Sequence, residues 1–266
     1  MLLINKIDEK VTNEQKTKTA KTKMSASSFL KNGPMFPTNA QLDQKIKPLS
    51  FLLADGATTA TAFPVYDISE VPESLVSYMC TNFSKEVQDG LTYPAYDITC
   101  KEFREYWFFS FCAIVLKGKL ESLDPHQDHD ADYWKENFLG TFYVKPNYPG
   151  RCSHNCNAGF FIPHSQRGQK LGRKLGQLYL KFAPKLGYSY SVFNLVFVSN
   201  PASWRIWDRL KFQRIGFVPN VAVLGKDQKS VKNGEDSREY KKTDAIIFGK
   251  DLTTVEADIF DDFVQV

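Results

Sequence analysis

The chain has 266 residues, of which 42% are hydrophobic and 14% aromatic, enough to bury a full core in one domain. Its net charge of +4 comes largely from one Lys-rich tail, so neither a nucleic-acid surface nor a nucleic-acid partner is expected. No apolar run approaches the ~20 residues of a membrane helix, and the 5 cysteines are odd in number and mostly in apolar settings, which favours a reduced, cytoplasmic protein with a mitochondrial location left open.

Residues 1–28 form a Lys/Thr/Gln/Ser-rich stretch with few large apolar side chains, read as a disordered leader to one domain over 29–266. Thr58 to Val65 reads as a first strand. Val71 to Gly90 carries Leu75, Met79 and Phe83 at helical spacing and stops at a glycine. Thr99 to Phe108 is a short helix, with Thr99 as cap and Glu102 three residues on. Phe109 to Leu116 is a buried strand with Leu139 to Val144 as hairpin partner. Between them lies a polar insertion, Lys117 to Asn137.

Asn157 to Ile162 is a strand and Gln169 to Phe182 a helix, ended by Pro184 and Gly187. Tyr188 to Val198 is a long strand. Strand, helix and strand in this order give parallel neighbours with a right-handed crossover. Two late strands, Arg214–Leu224 and Thr243–Phe248, flank an insertion at 225–242 read as a mobile loop. The fold class is α/β (α+β).

The chemistry is expected at two helix starts. Arg167-Gly168-Gln169-Lys170-Leu171-Gly172 opens one of them, where free N–H groups and the helix dipole favour phosphate oxygens. Its glycines fit equally well an ordinary strand-to-helix turn made for packing. Asn200-Pro201 opens the other, Asn200 serving as a cap or as a ligand for an amide. Strict alternation puts Asn194 on one face with Tyr190, Val192, Val196 and Val198. An amide there either bridges backbone in the core or faces a cleft, and Asn157 poses the same choice. Cys152, His154 and Cys156 lack a second ligand pair at zinc spacing, so no metal is expected. Residues i and i+2 on one face of a strand stand about 7 Å apart, too far for a Cys156–His154 nucleophile pair.

These residues resemble the GCN5-related N-acetyltransferases. Arg167 to Gly172 matches that family's acyl-CoA pyrophosphate motif, Gln/Arg-x-x-Gly-x-Gly/Ala. Asn200, Ser203, Ile206 and Trp207 fall on its Asn-x-x-Ala-x-x-Leu-Tyr, and Leu210-Lys211-Phe212 on its Leu-Gly-Phe. Longer strings, among them NGP (32–34), GTFYVKPNY (140–148), RCSHNCNAGF (151–160) and FNLVFV (193–198), are similar to the fungal azetidine-2-carboxylate N-acetyltransferases. The resemblance implies a mixed central sheet with splayed parallel strands and flanking helices. It implies acetyl-CoA as cosubstrate, acetyl transfer to the ring nitrogen of a proline-like imino acid, a role in oxidative-stress tolerance, and a homodimer. By the same resemblance Asn157 and Asn194 contact the imino acid. The carrier is held by Asn200 and Ser203, by the backbone at Phe161 and Ile162, and by the turn Arg167, Gly168, Gln169, Lys170, Leu171 and Gly172. Two departures stand out: Lys170 replaces the motif's middle glycine, and Trp207 stands where a tyrosine often protonates the leaving thiolate. Acetylation of a protein, peptide or polyamine amine, and a non-catalytic CoA-binding sensor, are the alternatives.

Overall fold

The segment Phe111–Lys117 is apolar up to its last residue, and such a run is stable only with both faces covered. In the computed structural model, which describes residues 45–225, 231–232, 235–236 and 240–266, it forms β3 of an 8-stranded sheet. Cys112, Ile114 and Leu116 face one core cluster, and Phe111, Ala113 and Val115 face the other, as the two-residue repeat of a strand requires. The first cluster packs under α1 (Glu73–Asp89) and α2 (Cys100–Trp107). The second packs under α4 (Leu171–Phe182) and α5 (Pro201–Arg209).

The sheet begins at β1 (Leu49–Leu52) and β2 (Thr59–Val65) and continues through β3 to β4 (Phe138–Pro146) and β5 (Asn155–Phe161). It ends with β6 (Tyr190–Phe197), β10 (Tyr240–Asp251) and, at the edge, β7 (Gln213–Gly225). β5 and β6 run parallel, joined by α4, and the other paired neighbours are antiparallel. This is the expected mixed sheet with flanking helices.

Several expectations need amendment. β1 went unread, because four residues carry too little pattern. Its place is secured from the far end of the chain, where Phe263 stacks on Phe51 at 5.1 Å and the Leu52 N–H donates to the Val264 carbonyl at 2.9 Å. The polar insertion holds a helix, α3 (Ala131–Asn137), capped by the Asp130 carboxylate on the Tyr133 N–H at 2.8 Å and anchored by buried Trp134. The cysteines are not all reduced: Cys80 and Cys100 form a disulfide between α1 and the first residue of α2. The 225–242 insertion falls largely outside the described residues. Its described parts are the ends of β7 and β10 and a short ladder of β8 (Val231–Lys232) with β9 (Glu235–Asp236). The proposed leader, 1–28, also lies outside them.

Strict alternation in β6 also fails. Ile246 pairs with Val196 but Phe248 with Phe193, so Asn194 and Leu195 together oppose one residue of β10. This bulge puts Phe193 and Val196, three apart, in the same core cluster and turns Asn194 away from it.

The predicted cap at Thr99 is a full capping box. Its hydroxyl accepts from the Glu102 N–H at 3.2 Å, and Glu102 accepts from the Thr99 N–H at 2.8 Å. Thr99→Ala should lower unfolding free energy by about 1 kcal/mol, read from urea denaturation midpoints at constant slope.

Candidate active site

β5 and β6 pair only at Asn155 with Tyr190 and Cys156 with Ser191. At that point the buried Tyr179 of α4 donates its hydroxyl to Ser191 Oγ at 2.6 Å, with Cys156 Sγ 3.0 Å away. Burial holds the Tyr179 hydroxyl well above its ordinary pKa and pushes the Cys156 thiol up to about 12. Cys156 is therefore a buried thiol at a strand junction, not a nucleophile. Past it the strands part around three rings: Phe193 lies 4.6 Å and Phe160 4.9 Å from Trp207.

The gap is a cavity of about 620 Å³. Asn157, Phe161, Ile162, Arg167, Gly172, Asn194, Asn200 and Ser203 line it. Gly168, Gln169, Lys170 and Leu171 do not line it but sit on the turn leading into α4.

Each of these residues has a definite local task. Gly168 has φ +85° and open space where a Cβ would stand. Lys170 has φ 60°, a left-handed conformation that normally favours glycine. Lys211, on the family's other glycine position, takes φ 59°. Both lysines thus keep a backbone geometry suited to glycine. Gly172 is needed for packing as well, since a Cβ there would overlap the tip of Ile206 in α5. Gln169 donates to Gln166 at 2.9 Å, and Leu171 is buried in the core. The Arg167 guanidinium is committed elsewhere than the phosphate turn: it pairs with Glu86 of α1 and donates to the Ile162 carbonyl at 3.3 Å. Asn200 does cap α5, accepting from the Ser203 N–H at 3.2 Å, and it also lines the cavity. Trp207 donates to Ser203 Oγ at 3.2 Å and is otherwise packed among rings. An open glycine turn, a helix start and an unpaired strand edge together fit a thioester carrier with a diphosphate.

On the opposite side lies a polar cluster that sequence reasoning only half found. Asn194 donates to Asn147 Oδ1 at 2.6 Å, Asn157 donates to the same oxygen at 3.1 Å, and Asn147 donates back to Asn194 at 3.2 Å. Asn147 was missed, although alternation from Tyr143 through Lys145 to Asn147 would have aligned it with Asn157. Lys145 is the cross-strand neighbour of Asn157. Its ammonium sits 4.3 Å from the Tyr106 ring centre and 4.9 Å from that of Tyr143. The two phenols bond each other at 2.6 Å, and burial raises the pKa of both. Tyr93, half-buried, donates to the Phe160 carbonyl at 2.9 Å. Glu86, a cavity-lining carboxylate, is held by Thr92 at 2.7 Å and by Arg167.

Gly159 makes this wall possible, because a Cβ on it would overlap the Tyr143 ring. Gly159→Ala should displace Tyr143 and break its bond to Tyr106. It should cost acceptor KM at least about tenfold while coenzyme A affinity, measured by calorimetry, stays within about twofold.

No family model matches the chain. It is 41% identical over 154 residues to the N-acetyltransferase aca1 of Schizosaccharomyces pombe, covering 57% of this chain and 74% of that protein. It is 28% identical over 270 aligned positions to Protein SPT10 of Saccharomyces cerevisiae, covering 88% of this chain but 40% of that one. Its fold is similar to that of a GCN5-related N-acetyltransferase from Kribbella flavida, with a TM-score of 0.52, 20% identity, and coverage of 71% of this chain and 97% of that one. The kinship with aca1 shows that the chain belongs to the N-acetyltransferases, and its forked sheet has the fold of a GCN5-related N-acetyltransferase.

Proposed function

We propose that the acceptor is a proline-like imino acid of the azetidine-2-carboxylate type, acetylated on its ring nitrogen, which removes a toxic analogue. The observation that carries this reading is the charge of the acceptor wall. Lys145 and three asparagines face the cavity, and the carboxylate that lines it, Glu86, is tied to Arg167. A polyamine or a basic peptide would need anionic partners, and this wall instead carries an ammonium. The acidic loop before α3 does not supply them, since none of its carboxylates lines the cavity.

Acetyl-CoA would supply an activated acetyl group, held by the α4 turn, by Asn200 and Ser203, and by the β5 backbone at Phe161 and Ile162. A secondary amine has a pKa of about 10, so freeing its lone pair at pH 7 costs about 4 kcal/mol. The Asn157 carbonyl oxygen takes part in none of the three asparagine bonds above, so it can accept an N–H of the amine and aim the nitrogen. Asn194 and Asn147 fix Asn157 in that pose, and the proton leaves through water. Positioning is then the main source of acceleration.

A thiol-release assay with azetidine-2-carboxylate, cis-4-hydroxyproline, spermidine and a histone-tail peptide tests the reading. Turnover with the imino acids is expected, and turnover with spermidine or the peptide alone overturns it. Asn157→Ala and Asn194→Ala should each lower kcat by about 100-fold while calorimetry still shows coenzyme A binding. A homodimer belongs to the same proposal. The edge strand β7 exposes Ile215, Phe217 and Val223, an apolar stripe suited to a second copy. Sedimentation velocity should give twice the chain mass, and Phe217→Glu should return it to one.

A further inference from the structure

We propose that Lys145 is the specificity-determining residue of the acceptor pocket, and that it recognises a carboxylate on the carbon next to the reacting nitrogen. This rests on the imino-acid reading and deepens it. Several cations elsewhere in the fold are neutralised locally. Arg104, Arg167, Arg173, Lys211, Arg214 and Lys250 each have a carboxylate partner. Lys174 donates to the Asp262 carbonyl. Lys145 is half-buried, and among the described residues no carboxylate lies within ion-pair distance of it.

It stands on β4, and its ammonium is flanked by the Tyr106 and Tyr143 rings. Ring faces attract a cation but do not neutralise it, so the cost of burying the charge is only partly offset. Burial indeed lowers the Lys145 pKa. A carboxylate entering the cavity would supply the missing counter-charge where it is least screened by water.

The geometry fixes where that carboxylate lies relative to the amine. Lys145 and Asn157 are paired residues on neighbouring strands, and side chains of such pairs stand about 5 Å apart at Cβ. An acceptor whose nitrogen meets Asn157 therefore presents its adjacent carbon's substituent to Lys145. The Tyr106–Tyr143 bond keeps the two rings in place around the ammonium, so the charge is preset rather than recruited. A simple cyclic amine would fit the asparagines yet leave Lys145 without a counter-charge.

The test compares azetidine-2-carboxylate with its neutral carboxamide in wild type, Lys145→Met and Lys145→Arg. Wild type should favour the carboxylate in kcat/KM by about tenfold to a hundredfold. Lys145→Met should erase that preference by raising KM for the carboxylate, with kcat and the carboxamide's KM little changed. Lys145→Arg, which keeps stem and charge, should restore most of the preference. Equal loss on both acceptors, or a preference undiminished in Lys145→Met, overturns the assignment. Should Lys145→Met not fold, absence of any carboxylate preference in wild type overturns it without the variant. If wild type acetylates neither compound while still binding coenzyme A, the imino-acid reading itself fails, an outcome distinct from the failure of Lys145.

Discussion

The fork between β5 and β6 is the constraint on which the site depends. Two adjacent parallel strands ordinarily bond along their whole length, and here they do so for two residue pairs. A single hydroxyl, that of Tyr179, reaches both strands at the last point where they touch. Beyond it Phe160, Phe193 and Trp207 fill the space that ladder bonds would have closed. Core packing on one side of the sheet therefore leaves the backbone at the cavity edge without ladder partners, and the side chains of Tyr93 and Arg167 take up the Phe160 and Ile162 carbonyls there. The β6 bulge belongs to the same arrangement, since it sends Phe193 into that ring cluster while Asn194 turns to the cavity.

The acceptor wall is built by a different means. It comes from α1, α2, β4, β5 and β6, and its polar groups other than Lys145 are matched to one another. Tyr106 and Tyr143 satisfy each other, the three asparagines share one carbonyl oxygen, and Glu86 is occupied by Arg167 and Thr92. Such preorganisation would lower the ordering cost of binding the small, rigid acceptor proposed above. The Cys80–Cys100 disulfide adds to it: Glu86, Thr92, Tyr93 and Pro94 lie in the loop it closes, and all four line the cavity.

How far the sequence reveals this depends on the range of each interaction. α1, α2 and α4 are legible because caps, glycine stops and apolar spacing are local signals, and β3 because seven residues suffice to show a buried run. The two helix starts and Asn157 and Asn194 are legible through motif spacing. Asn147, Lys145 and Glu86 are not, since their importance arises only when β4 pairs with β5 and α1 lies over that pair. Alternation misleads in β6, because a bulge leaves no local mark. Arg167 misleads for another reason: beside a glycine turn its charge suggests phosphate, but a carboxylate eighty-one positions away takes it.

Trp207 raises the remaining chemical point, and magnitudes settle it. Its indole N–H bonds Ser203 and its ring is packed, so it has no acid function to offer at the position where related enzymes often place a phenol. Releasing an alkyl thiol of ordinary pKa near 8.5 without a proton donor at pH 7 costs about 2 kcal/mol, within reach of solvent water. Freeing the lone pair of a secondary amine costs about twice that. With the acceptor proposed above, the demanding proton transfer would lie at its ring nitrogen. In that proposal Asn147, Asn157 and Asn194 would stand at the nitrogen, while Trp207, packed on Phe160 and Phe193, holds the fork open.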